Sequence, residues 1–331
     1  MAQNQPMPTY GNFIEAIGNT PLIRMNSLSE ATGCEILGKA EFLNPGGSVK
    51  DRAAWWMVRG HEESGALQPG GTVVEGTAGN TGIGLAHVCN ARGYRCEIFM
   101  PDNQSPAKAQ ILRTLGASVT EVPVVPYVDE MNYQKQAGRH AASIEGGVWA
   151  NQFDNVANRQ AHYESTGPEI WRDTEGKVDA FVAATGTGGT LAGTGAFLKE
   201  KNPEVQIVCA DPHGSAIYNY VKTGDATMTP GPSITEGIGN SRVTDNLHGA
   251  TIDDAIQIHD SDMVRMVYQL LREEGWFFGS STGINLCAAV ELARKLGPNH
   301  TIVSILCDTG AKYQDTLFNP QFLTERDLPT G

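Results

Sequence analysis

The chain has 331 residues, with 24 Lys and Arg against 37 Asp and Glu, a formal charge of -13 at pH 7 with histidine counted neutral. This balance, with no basic run, argues against nucleic-acid backbones and anionic membranes as main partners. A 40% hydrophobic content over a length of roughly two domains argues against intrinsic disorder. Thirty-eight glycines exceed the usual share of about 7% and follow no collagen-like period, so their placement is the question to answer.

The start, MAQNQPMPTYGNF, has neither a charged opening before an apolar core nor an Arg/Ser-rich amphipathic pattern. No signal or transit peptide is predicted, and the cytoplasm is the expected location. No apolar stretch approaches the roughly eighteen residues of a membrane span; the best, IVSILC at 302–307, suits a buried strand. Cys34, Cys89, Cys96, Cys209, Cys287 and Cys307 form no CxxC pair and sit mostly in apolar segments, so they are expected to be reduced core residues. With no HExxH among the eight histidines, no metal site is expected.

Short β-branched runs alternate with helical-period segments from residue 72 almost to the end, the pattern of a parallel α/β protein. Ahead of them, NPGGSVKDRAAWWMV (44–58) reads as a turn at Pro45, Gly46 and Gly47 followed by a helix, with Ser48 as cap and Asp51 as the acid of a capping box. Lys50 then falls in the first helical turn. There the positive end of the helix dipole disfavours a charged amine by about 0.3–1 kcal/mol, as a nucleophilic lysine would need. Taken alone, this cluster is better explained by a solvated lysine beside Asp51 and Arg52. The segment does not fit GxxxxGK[ST], so a nucleotide P-loop is not supported.

Strand TVVEG (72–76) leads into TAGNTGIGLAHV (77–88), where backbone N–H groups and Thr hydroxyls at a helix start suit a carboxylate or phosphate; close helix-on-strand packing is the other explanation of its glycines. Strands CEIFM (96–100), SVTEV (118–122) and VWANQ (148–152) follow, and a seam near 155–165 divides the chain into two α/β halves. In FVAATGTGGTLAGTGAF (181–197), strand AFVAAT (180–185) runs into Gly186, Thr187, Gly188, Gly189 and Thr190 and then a helix, an anion cradle with small side chains and two hydroxyls. Asp211 ends the next strand, VQIVCAD (205–211), which raises the reading of a dinucleotide site. GxGxxG fails at Leu191 and, in GIGLAH, at His87, so an NAD-dependent dehydrogenase is disfavoured. Met263, Val264, Val267, Leu270 and Leu271 form one apolar stripe on a helix over 261–274 that Gly275 stops. Strand WFFGS (276–280) enters a turn with Ser280, Ser281 and Thr282, which carries hydroxyls and no carboxylate, and TIVSILCD (301–308) closes the series.

IGNTPL, SVKDR, GNTGIGLA, TGPEIW, GTGGT and EGIG stand in this order from residue 14 nearly to the last strand. In that set the chain resembles the cysteine synthase family of pyridoxal-phosphate (PLP) enzymes, fold type II, which includes the catalytic core of cystathionine β-synthase. The resemblance implies two open three-layer α/β domains with mostly parallel sheets, like the tryptophan synthase β chain, and the cofactor in the cleft between them. One would span 45–155 and carry a substrate-closing part. The other would comprise 12–44 and 156–331 and hold the cofactor phosphate.

By the same resemblance Lys50 is the Schiff-base lysine and Gly186, Thr187, Gly188, Gly189 and Thr190 hold the phosphate. Asn80 bonds the ring hydroxyl and Ser281 the pyridine nitrogen. Thr77, Ala78, Gly79, Asn80, Thr81, Gln152 and Gly237 address the amino-acid substrate. The implied reaction is β-replacement on an O-activated serine: O-acetylserine and sulfide to L-cysteine and acetate. A neutral Ser281 cannot keep the pyridine nitrogen protonated, which favours β-elimination over transamination or racemisation. A cystathionine β-synthase-like enzyme, using serine or O-phosphoserine or another nucleophile, is the nearest alternative, and a catalytically silent regulatory homologue is another. A homodimer and a serine acetyltransferase partner are implied by the family alone. The substrate loop departs from the usual EPTSGNT at Gly76 and Ala78, and EGIGNSRVTDNL (236–247) lacks the aromatic-Ile-Pro continuation that often follows EGIG.

Overall fold

A computed structural model describes residues 9–77 and 79–331. Ten strands and twelve α-helices alternate among these residues. The first half runs β1 (Leu22–Arg24), α1 (Asn26–Thr32), β2 (Glu35–Lys39), α2 (Lys50–Glu63), β3 (Thr72–Gly76), α3 (Asn80–Arg92), β4 (Arg95–Pro101), α4 (Pro106–Thr114), β5 (Ser118–Val122), α5 (Tyr133–Ser143) and β6 (Gly147–Trp149). The second runs α6 (Ala157–Ala161), α7 (Gly167–Asp173), β7 (Ala180–Ala184), α8 (Gly189–Lys201), β8 (Gln206–Pro212), α9 (Ile217–Thr223), β9 (Asp254–Ile258), α10 (Asp260–Glu274), α11 (Ser280–Leu296), β10 (Thr301–Ile305) and α12 (Pro320–Thr324).

The strands form two sheets. One has the order β5-β4-β3-β6 and is wholly parallel; the other has the order β1-β2-β10-β7-β8-β9 and is parallel except for the β1–β2 pair. Strand order that departs from chain order requires crossovers, and the intervening helices supply them on both faces. In the larger sheet, α1, α10 and α11 pack on one face around Leu28, Val264 and Ala289, while α7, α8 and α9 pack on the other around Ile170, Leu191 and Ile217. In the smaller sheet, α2 and α3 cover one face with Met57 and Leu85, and α5 covers the other with Ala137. Each sheet is therefore the middle of three layers, as the resemblance implied.

The central strands are apolar because both their faces are covered: β7 (AFVAA) is buried over four of its five residues and β3 (TVVEG) throughout, Glu75 included. The predicted helix over 261–274 is α10, and Gly275 ends it at φ 75°. Two expectations need correction. WFFGS is no strand: Phe278 makes one isolated bridge to Thr309, and its aromatic rings serve the core, with Trp276 stacked on Phe278 at 5.6 Å. VWANQ pairs only as far as Trp149, because Asn151 turns the chain at φ 53°. β1, β2 and β9 carry no clear strand signal. In β2, Gly38 leaves the room that Leu306 fills, and buried Lys39 breaks the apolar run.

Candidate active site

The carboxyl ends of β3, β7 and β10 and the amino ends of α2, α3, α8 and α11 converge on one cavity of about 490 Å³ between the two sheets. That is where open parallel sheets place ligands. Of the residues picked out from the sequence, Lys50, Thr77, Gly79, Asn80, Thr81 and Gln152 line it from one side. Gly186, Thr187, Gly188, Thr190, Gly237 and Ser281 line it from the other. Gly189 lies just behind this wall, where a Cβ would stand 2.2 Å from Asn158 Oδ1. Ala78 lies outside the described residues.

Lys50 opens α2 and is tied to the end of β10. Its N–H donates to Ser48 Oγ at 3.2 Å, and the Val49 N–H donates to the Cys307 carbonyl at 3.0 Å. The expected capping box does not form. The left-handed turn at Gly47 (φ 80°) brings the Gly46 N–H round to Asp51 Oδ2 at 2.6 Å, so Asp51 secures the glycine loop instead of the helix start. Burial pushes the Asp51 carboxyl up to about 7.

Arg52, next to Asp51 in α2, is fully buried. Its guanidinium donates to Glu41 at 2.7 and 2.8 Å and to Glu169 at 2.7 and 2.8 Å. Lys39 reaches Glu169 at 2.9 Å and Asp173 at 3.1 Å. Burial alone would raise Glu169, but Arg52 and Lys39 hold it at about 2. Such a network fastens the helix that carries Lys50 to the larger sheet; losing one partner would leave an unpaired buried charge, a loss of about 3–5 kcal/mol.

The 186–190 turn is shaped by close packing. A Cβ at Gly186 would lie 2.1 Å from the Gly237 carbonyl oxygen, and one at Gly188 (φ 84°) would lie 2.7 Å from Leu247 Cβ. Polar side chains brace it from beneath: Asn240 Nδ2 donates to the Gly186 carbonyl at 3.1 Å, Thr244 Oγ1 to the Thr187 carbonyl at 2.7 Å, and Asn158 Nδ2 to Thr187 Oγ1 at 3.0 Å. Burial keeps His162 neutral; its Nε2 lies 3.1 Å from Thr190 Oγ1. The segment 236–247 thus supports the turn and, through a two-pronged Arg242–Asp154 pair at 2.7 and 2.8 Å, the chain after β6. Asn158, Asn240, Thr244 and His162 were not found from sequence; the Asn and Thr residues of NSRVTDNL were the available signal.

Across the cavity, the loop after β3 is held by side-chain bonds. Thr81 Oγ1 donates to Gln152 Oε1 at 2.6 Å, and the Gln152 N–H donates to Glu75 Oε2 at 3.2 Å. Burial pushes Glu75 up to about 8. Gly76 has a packing reason: a Cβ there would lie 2.6 Å from Gln134 Cα. Ser281 is buried in the first turn of α11. Thr282 Oγ1 accepts from the Cys307 N–H at 2.9 Å, and Asn285 links Ala184 to Ile305 at 2.6 and 2.7 Å, joining β7 to β10.

Among the described residues, the N–H groups of Thr187, Gly188 and Thr190 have no hydrogen-bond partner, at the amino end of a thirteen-residue helix. Unpaired donors there suit a phosphate, and an amine, an amide and a neutral hydroxyl share the cavity with them. The family model that matches residues 14–308 is described as pyridoxal-phosphate dependent enzyme. The chain belongs to this family. The donor set fits its cofactor, which when bound serves as an electron sink for carbanions at a substrate's Cα.

Relatives named Cysteine synthase 1 from Neurospora crassa and Emericella nidulans are 56% and 54% identical, each over 95% of this chain and 84% and 86% of their own. Among solved structures, an O-ureido-L-serine synthase superposes with a TM-score of 0.86 at 34% identity, covering 94% of this chain and 96% of its own. The O-acetylserine dependent cystathionine beta-synthase of Helicobacter pylori superposes with 0.84 at 32% identity, covering 94% and 99%. No helix among the described residues is long and apolar enough to cross a membrane, and no metal-holding cluster of His, Cys, Asp and Glu occurs among them.

Proposed function

We propose that this family member is a cysteine synthase, which replaces the acetoxy group of O-acetylserine by sulfide to give L-cysteine and acetate. The observation that carries the reading is one cavity lined by the Lys50 amine, the Asn80 amide and, among the described residues, the unpaired N–H groups of Thr187, Gly188 and Thr190. The relatives named Cysteine synthase 1 support L-cysteine as the product.

In this reading Lys50 tethers the cofactor and, once displaced by the donor, moves the proton at the donor's Cα. Gly186 to Thr190 bind the phosphate, Asn80 the ring hydroxyl and Ser281 the pyridine nitrogen. Thr77 to Thr81, Ala78 included, orient the donor carboxylate with Gln152, and Gly237 flanks the reacting end. The chain works as two units, 45–155 and 12–44 with 156–331, and the part around 77–150 closes over the donor to exclude water. It acts in the cytoplasm as a homodimer and can engage a serine acetyltransferase.

A second reading, with an amino-acid thiol as acceptor, is favoured by the Lys108–Glu236 ion pair in the cavity wall, whose opposite charges match a zwitterion. A panel of donors and acceptors read by mass spectrometry tests both readings. L-cysteine from O-acetylserine and sulfide as the fastest product is the expected result. Faster formation of cystathionine from homocysteine, with serine or O-acetylserine, would overturn the first reading in favour of the second.

A further inference from the structure

Asn80 is gripped from two sides by residues that follow β10. Its Nδ2 donates to Asp308 Oδ2 at 2.7 Å, and its Oδ1 accepts from Lys312 Nζ at 2.6 Å. An ionised carboxylate only accepts and an ammonium group only donates, so these partners dictate which end of the amide faces which way. Left alone, an asparagine amide has two nearly equivalent orientations.

The grip is itself braced. Asp308 is fully buried, and the Tyr313 hydroxyl donates to the same Oδ2 at 2.8 Å. Lys312 Nζ also lies 3.5 Å from the Gly47 carbonyl, in the loop that leads to Lys50. Burial raises the Asp308 carboxyl and lowers the Lys312 amine, while the opposite charge of each resists the shift in the other. Lys312 and Asp308 thus act on one side chain from its two ends, although neither was assigned any role in the reaction.

We propose that Lys312 and Asp308 are positioning residues that fix the Asn80 amide, so that the N–H not used by Asp308 is presented to the ring oxygen of the cofactor. This rests on the reading of the cavity as the cofactor site.

The test is a double-mutant cycle on cofactor affinity, measured by titrating apoprotein with PLP and following its visible band. Lys312→Met should weaken binding about tenfold, the scale of a hydrogen bond to a charged group, and alter the band; Lys312→Arg should restore most of the affinity. Asp308→Asn, which can offer Asn80 a donor in place of an acceptor, should weaken binding in the same direction. In an Asn80→Ala background, Lys312→Met should cost less than about twofold, because the residue it acts through is gone.

Unchanged affinity and band in Lys312→Met would overturn the proposal. So would an equal loss in both backgrounds, which would mean that Lys312 acts independently of Asn80. Thermal unfolding of each apoprotein separates misfolding from lost positioning, and the Lys312→Arg and Asp308→Asn arms decide the matter if Lys312→Met does not fold. Failure of the wild-type protein to form a borohydride-reducible bond with PLP at Lys50 would instead overturn the site reading and this proposal with it.

Discussion

The two turns that face each other across the cavity are built by opposite means. The 186–190 turn is shaped by what surrounds its missing side chains: Gly186, Gly188 and Gly189 would drive a Cβ into Gly237, Leu247 and Asn158, and among the described residues the N–H groups of Thr187, Gly188 and Thr190 are left without a partner. Across the cavity, a Cβ built at Gly79 would meet no atom of the described residues within 4 Å, and the side chains of Asn80, Thr81, Gln152 and Glu75 hold this wall. A backbone cradle locked by sterics suits a group that stays, such as a cofactor phosphate. A loop locked by exchangeable hydrogen bonds suits a substrate that arrives and leaves.

The largest expected effect lies at the base of the hydrogen-bonded loop. Burial raises Glu75 from 4.5 to about 8, so its contribution to stability is fully present below pH 4.5 and is lost as pH rises through about 8. Glu75→Gln should therefore gain on the wild-type protein between about pH 5 and 8.5, by on the order of a few kcal/mol in urea unfolding. Asp51 and Asp211, both pushed up to about 7 by burial, add the same sign to both proteins, so the difference between the two curves isolates Glu75. Parallel curves would show that the loop does not depend on a buried neutral acid.

Next comes the cradle. Gly186→Ala sets a methyl against a backbone oxygen that has no side chain to move aside, and should lower stability by about 1–3 kcal/mol together with PLP affinity. Wild-type melting and binding would mean that packing does not shape this turn. The smallest effect is expected at Thr81→Val, which removes one buried hydroxyl from Gln152 Oε1 and should lower stability by about 1 kcal/mol. Its KM for the donor should rise while PLP affinity stays at the wild-type value. A change in PLP affinity instead would contradict the division of labour between the two turns.

The strand, turn and helix segments at 72–88 and 180–197 that line the cavity were legible in the sequence because each is local: an apolar run, a small-residue turn and a helix period within about twenty residues. What holds those segments in place was not legible, because it joins distant parts of the chain. Arg52 meets Glu169 117 positions away, and Asn80 meets Lys312 232 positions away. Lys39 and Glu41 look like surface residues until the fold surrounds them with partners, and Gly38 looks like a strand breaker until Leu306 fills its place. Gly76 shows the converse. It departs from the family pattern in the substrate loop, and the structure supplies a packing reason in α5.

The central claim is that Lys50 carries the cofactor, and reduction by borohydride followed by peptide mapping tests it most directly. The prediction is a phosphopyridoxyl group on the peptide that contains Lys50 and on no other. A label on Lys312, the lysine that bonds Asn80, or a yellow protein that yields no reduced lysine adduct, would contradict the account.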